Sequence, residues 1–160
     1  RAQEFIDEFS QIYRYVLETV EQHTTTLGKE LEFMRSYLFL QQMRYGEDLT
    51  WSVSVPGDLL GAVLPPLSLQ VVLENAIKHN IVNHSKPLHI GITASDMMLT
   101  VANRLQPKIS APASTGLGLK NLTRRYSLIT GRLPQFAVEN DHYIARLPLL
   151  NPEGNDSADN

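Results

Sequence analysis

The chain has 160 residues, 42% of them apolar, with no cysteine and a formal charge of −3. That is enough apolar material for one cored domain and a small appendage, and it excludes disulfide frameworks and thiolate metal sites. No concentrated basic face points to nucleic acid, and no apolar run reaches the ~20 residues that span a bilayer. No signal-like start is visible, so the expectation is a soluble, cytoplasmic piece, and Arg1 in place of methionine suggests a processed chain or an excised fragment.

In chain order, residues 3–22 read as a helix with Phe5, Phe9, Ile12, Tyr13, Val16, Leu17 and Val20 on one stripe. Three threonines, Thr24 to Thr26, interrupt it. A second helix is expected from about Leu27 to Tyr45, striped by Leu31, Met34 and Leu38 and stopped by Gly46. The apolar faces of both need cover, from the following domain or from a second copy. Leu49, Trp51, Val53 and Val55 alternate with polar residues, the pattern of a half-buried strand closed by Pro56. Gly57 to Val63 reads as a short turn-like helix, and Pro65-Pro66 as the first turn of the next helix. Strands are expected at 88–94 and 97–103 around a Ser95-Asp96 turn, then a loop or lid over 104–114. A helix over 117–128 and a hairpin of 134–139 with 143–149 around Asn140-Asp141 complete the order, and 151–160 is a polar tail. Strand, helix, strand, strand, loop, helix, strand, strand describes an α/β sandwich: a mostly antiparallel sheet covered by helices on one face, with leading helices.

Two segments carry chemistry. In Leu69 to Asn80, apolar Leu69, Val72, Leu73, Ala76 and Ile77 mark a packed face, with Glu74, Asn75, Lys78 and His79 opposite. Asn75 offers a neutral hard oxygen suited to Mg²⁺, which takes few protein ligands beside phosphates and waters. Glu74 can orient water or accept a proton, and Lys78 can reach phosphate as a point charge. The same face also reads as solvated surface, with Glu74 and Lys78 an ordinary i,i+4 pair. In Thr115-Gly116-Leu117-Gly118, small residues ahead of a helix let backbone N–H groups approach an anion. Capping and turn formation explain such glycines equally, with Thr115 as a cap. Together the segments suit a magnesium nucleotide. His79, His84 and His89 match no standard zinc spacing, no hydroxyl has a partnered base for a triad, and Trp51 reads as sheet cover rather than an adenine platform.

Tyr37 to Gly46, Leu64-Pro65-Pro66-Leu67-Ser68-Leu69-Gln70, Leu73-Glu74-Asn75-Ala76-Ile77-Lys78-His79 and Gly116 to Tyr126 resemble, in order and spacing, the LytS/YehU-type sensor histidine kinases. The resemblance covers about residues 5–149. It implies a GHKL (Bergerat-fold) ATP-binding domain, shared with gyrase and MutL, over residues 25–150. Residues 1–24 would then be the remnant of a dimerisation and phosphoacceptor helix, and 151–160 a disordered tail. It further implies Asn75 as the Mg²⁺ ligand and Glu74 as an acid–base neighbour. Lys78 would touch phosphate and His79 line the pocket, with Thr115, Gly116, Leu117 and Gly118 on the phosphate side. The γ-phosphoryl of ATP would pass to a histidine on a dimeric helical hairpin and on to a response-regulator aspartate. The intact protein would be a homodimer in the bacterial inner membrane, attached through upstream regions; the present piece can remain monomeric.

Two departures stand out. The family's Asn-Pro-His-Phe-Leu-Phe-Asn-like acceptor stretch is absent, and His23 lies in the threonine run, in the wrong place for that role. The first glycine box falls on Asn103-Arg104-Leu105-Gln106-Pro107, so Asn103 replaces the aspartate that receives the adenine amine, and Leu105 and Pro107 replace glycines. An amide oxygen still accepts that bond, without a carboxylate's charge. The competing reading is a catalytically inactive scaffold of the same fold that signals through protein contacts. A simple ATPase would lack its transducer domain.

Overall fold

Helix α1 (Ala2–Thr19) opens a computed structural model that describes residues 1–19, 22–109 and 116–152. Residues 20 and 21 of the expected first helix, positions 110–114 of the expected lid, Thr115, and the tail beyond 152 lie outside the described residues. The stripe of α1 remains largely uncovered: Phe5, Phe9, Tyr13 and Leu17 are all exposed. Phe5 and Phe9 cover one another, ring centroids 6.3 Å apart. Tyr15, on the opposite side, stacks on Phe33 at 4.7 Å and so docks α1 against the next helix.

The threonine run is more than an interruption. Thr25–Thr26 forms β1, and Thr26 caps α2 (Leu27–Tyr45) by accepting the N–H of Lys29 at 3.2 Å. Gly46, at φ 58°, ends α2, its N–H bonded to the Gln42 carbonyl. Leu27, Leu31, Met34 and Leu38 are fully or almost fully buried, as their spacing predicts. β2 (Leu49–Ser54) begins buried at Leu49 and grows exposed toward Val53. The expected alternation weakens at Val53, which is exposed on this edge strand, while Trp51 and Val55 pack against the core.

The expected helix over 57–63 shrinks to one turn at Gly57–Leu59. Val63–Leu64 instead forms β3, antiparallel to β1. The two prolines do not open α3 (Ser68–His79). They precede it, because Leu67 sits in the left-handed region at φ 66° and separates them from the helix.

β4 (Leu88–Ser95) and β5 (Met98–Arg104) form a hairpin whose tight turn is Asp96-Met97, one residue later than expected, both at positive φ. Helix α4 (Leu117–Ser127) follows, then β6 (Gln135–Glu139) and β7 (His142–Pro148), turned at Asn140-Asp141 as expected. The sheet runs β2-β4-β5-β7-β6. Its neighbours are antiparallel except β2 with β4, paired in parallel from Leu49↔Leu88 to Ser54↔Thr93. Leu88, Ile90, Ile92, Leu99, Val101, Ala145 and Leu147 point from the sheet into a core completed by α2, α3 and α4. Tyr126 pins α4 there: its ring is fully buried and its hydroxyl donates to the Pro148 carbonyl at 2.8 Å.

Candidate functional site

Ser68, Leu69, Val72, Leu73, Ala76 and Ile77 are buried, which turns the polar face of α3 outward. Glu74 and Lys78 are exposed, while Asn75 and His79 are half-buried. Across from them starts α4, with Gly116 at its N-cap in the left-handed region at φ 67°. Val71, Glu74, Asn75, Lys78 and His79 of α3 and Gly116, Leu117, Gly118 and Leu119 of the α4 start line one cleft of about 150 Å³. An adjoining hollow of about 490 Å³ shares Glu74 and Lys78 with it. Small-molecule sites measure roughly 300–1,000 Å³, so the first cleft alone is small for a nucleotide. A larger cleft of about 820 Å³ lies between α1 and α2, where Glu8 and Glu32 mix with Arg14, Lys29 and Arg35. Its charges do not converge on one kind of ligand.

The two glycines act differently. At Gly116 the backbone itself requires glycine, since φ 67° crowds any Cβ. At Gly118 a Cβ would meet Val71 Cγ1 at an ordinary 3.6 Å. Gly116→Ala is therefore expected to cost about 1–2 kcal/mol of stability. Gly118→Ala, in a helix, should be neutral or gain up to about 1 kcal/mol. Urea unfolding of both variants checks this; equal costs would mean that the conformation at 116 is not what demands glycine.

Glu74 and Lys78 form no ion pair with one another among the described residues. His79 is held below its usual imidazole value by burial and by the nearby Lys78 and Lys108. It therefore presents a neutral ring near pH 7.

Asn75 has a partner that the sequence reading missed. Tyr143 on β7 lies near its side chain; burial, the larger effect, pushes the phenol above its ordinary value, while the Asn75 amide pulls it down. Tyr143 stands directly opposite Asn103 in the β5–β7 register. Residues paired this way share a sheet face. The signal was present in the alternation: 143, 145 and 147 share a phase, and Ala145 and Leu147 are core. Asn103, 2% exposed, lies in the row of Val101 and Leu99 and donates to the Arg104 carbonyl at 2.8 Å. It does not line the cleft itself. Asn75, Tyr143 and Asn103 make a polar strip from α3 into the sheet.

The segment after β5 is fastened to the end of α3. Asn80, buried, donates to the Ala76 carbonyl and accepts the Gln106 N–H, each at 2.8 Å. The Gln106 amide donates in turn to the Ile81 carbonyl at 2.7 Å. Pro107 forms a bridge with Asn80, and the Lys108 N–H reaches the His79 carbonyl at 3.3 Å. Where the resemblance expects two glycines, the chain has a strapped segment.

Residues 1–49 match a family model described as histidine kinase. The LytS sensor protein of Staphylococcus saprophyticus is 30% identical over 97% of this chain, and the sensor histidine kinase/phosphatase LytS of Staphylococcus aureus is 30% identical over 82%. The chain spans only 29% and 26% of those two relatives. Among solved structures, the catalytic domain of histidine kinase ThkA superposes with a TM-score of 0.56 at 17% identity, covering 80% of this chain and 99% of that one. The cytoplasmic segment of histidine kinase QseC gives 0.56 at 14% identity, covering 80% and 77%. These structural likenesses speak for the fold. No helix among the described residues is long and apolar enough to cross a membrane. With an α/β sandwich like that of solved histidine-kinase catalytic domains and this kinship over most of its own length, the chain belongs to the LytS sensor histidine kinase family.

Proposed function

We propose that the chain is the ATP-binding catalytic domain of a two-component sensor histidine kinase. It would transfer the γ-phosphoryl group of Mg-ATP to a histidine on a helix outside these 160 residues, for relay to a response-regulator aspartate. The observation that carries this is the single cleft shared by Asn75 and the Gly116–Gly118 turn, with Glu74 and Lys78 on its wall. The donor chemistry fits magnesium. Asn75 supplies one hard oxygen, and no cluster of three acidic or histidine ligands exists among the described residues, as suits an ion held largely by phosphates and water. Bound Mg²⁺ would neutralise charge on the β- and γ-phosphate oxygens.

The chain's own groups do the rest. Asn75, beside Tyr143, would offer its amide oxygen to the metal. Lys78 offsets phosphate charge, and the backbone from Gly116 to Gly118 at the start of α4 provides a favourable field for an anion. Glu74 would receive the proton released as an imidazole nitrogen bonds to the γ-phosphorus and the bond to the β–γ bridging oxygen breaks, ADP leaving. Asn103 would stand behind the base, reached through Tyr143. The exposed apolar row on α1 would pair with a second copy in the intact protein, which we place in the inner membrane with this domain in the cytoplasm.

Calorimetric titration with a non-hydrolysable ATP analogue, with and without Mg²⁺, tests the reading. Magnesium-dependent binding is expected, and no binding at millimolar nucleotide would leave the scaffold reading. One observation favours that alternative: the strap through Gln106 and Pro107 fixes a segment that the resemblance expects to be glycine-rich.

His79 gives a second check. Because its folded value is lowered, the unfolded imidazole takes up a proton first as pH falls through about 6.5. The neutral ring therefore costs no stability above that pH, and acidification below it removes stability. Its NMR titration midpoint in the free chain is expected below 6.5, and to rise when the nucleotide brings negative charge alongside. A midpoint indifferent to bound nucleotide would place His79 away from the phosphates.

A further inference from the structure

Glu30, in the first turn of α2, is completely buried. Both of its oxygens are occupied. Oε1 accepts the N–H of Leu69 at 3.2 Å, and Oε2 accepts the N–H of Leu67 at 3.1 Å together with the phenol of Tyr15 from α1. Leu67 stands at the N-cap of α3 and supplies no cap of its own, so a carboxylate from another helix takes that role. The position also suits the positive end of the α3 dipole. Arg125 of α4 donates to the Pro66 carbonyl, just ahead of this cap, and its positive charge acts on Glu30. Burial pushes the Glu30 carboxyl up, against the pull of Tyr15, the two N–H groups and Arg125.

Three helices thus meet the start of α3 at one carboxylate. Two of the four, α3 and α4, form the walls of the candidate nucleotide cleft, and α1 carries the exposed apolar row. We propose that the Tyr15–Glu30 contact is a coupling element: it lets the N-terminus of α3 register where α1 sits, with Glu30 the positioning residue between them. Displacing α1 withdraws the phenol. The fully buried carboxylate then has to redistribute its remaining bonds among the Leu67 and Leu69 N–H groups. A change on the α1 side is so delivered to the first turn of the helix that bears Asn75. Only the naming of the cleft's ligand rests on the proposed function; the coupling itself does not.

The test uses the 160-residue chain, isotope-labelled, with no nucleotide added. Tyr15→Phe removes the hydroxyl and keeps the ring stacked on Phe33. The Leu67 and Leu69 amide resonances are expected to shift, and their hydrogen exchange to quicken roughly tenfold. Tyr13→Phe, at a 61% exposed position on the same helix, should change neither. Glu30→Gln, which removes the charge and one acceptor oxygen, should disturb the same two amides more strongly and show that they report on this cap. If Glu30→Gln moves them while Tyr15→Phe leaves their shifts and exchange at native values, α1 is not coupled to α3 and the proposal is overturned. An unchanged Leu67 and Leu69 in both variants overturns it as well.

Discussion

Asn75→Ala is expected to remove the magnesium-dependent part of ATP binding, lowering affinity by on the order of 100-fold, while the chain stays folded. The side chain is half-buried at the cleft and belongs to no apolar contact set, so its loss opens no core cavity. What disappears is the neutral oxygen proposed to serve the metal, together with the amide that lies beside Tyr143. Removing even an outer partner of a metal ligand typically costs 10–100-fold in metal affinity, and a direct ligand should lie at or beyond the upper end. Asn75→Asp separates two causes. If a hard oxygen is all that the metal needs, the carboxylate restores magnesium-dependent binding; if the amide N–H beside the Tyr143 phenol is needed as well, restoration is partial. The measurement is the pair of calorimetric titrations with and without Mg²⁺. Equal, magnesium-sensitive affinity in Asn75→Ala would refute the assignment of Asn75 as ligand, even if the nucleotide still bound.

The other large effect lies behind the cleft. Tyr126→Ala should cost about 3–5 kcal/mol of stability, the range for deleting a buried aromatic ring. Small domains are stable by only about 5–15 kcal/mol, so this change approaches global unfolding. Tyr126→Phe isolates the hydroxyl. It leaves the Pro148 carbonyl without its 2.8 Å donor and should cost about 1–2 kcal/mol. Since Tyr126 ties α4 to β7, the phenylalanine variant should also loosen the glycine turn at the other end of the helix. That would appear as weaker nucleotide binding in a still folded chain. Urea denaturation gives both stabilities, and a Tyr126→Phe variant as stable as the native chain would show that the hydroxyl bond carries no net weight.

Periodicity located α2 and α4 nearly to the residue, because Thr26, Gly46 and the glycine turn mark their ends chemically. The outward set of α3 was legible for the same reason: Leu69, Val72, Leu73, Ala76 and Ile77 leave Glu74, Asn75, Lys78 and His79 no other side to face. What stayed hidden depends on long-range partners. Val63–Leu64 becomes a strand only because Thr25–Thr26 comes beside it. Glu30 reads as a surface charge in its own helix and is buried by α1 and by the start of α3. The prolines at 65 and 66 suggested a first turn, yet a left-handed Leu67 separates them from the helix, and no local pattern announces that conformation. Tyr143 was readable as inward-facing but not as the neighbour of Asn75, since that meeting depends on how α3 lies over β7.

The parallel pairing of β2 with β4 has a kinetic side. The β4–β5 and β6–β7 hairpins each close over two residues and can form early, from local contacts. Joining β2 to β4 must instead enclose residues 55–87, with α3 inside the loop. Contacts between distant parts of a chain carry the larger entropy cost and come later. The helix bearing Asn75 lies inside that long loop, so its docking is expected to accompany the slower closure.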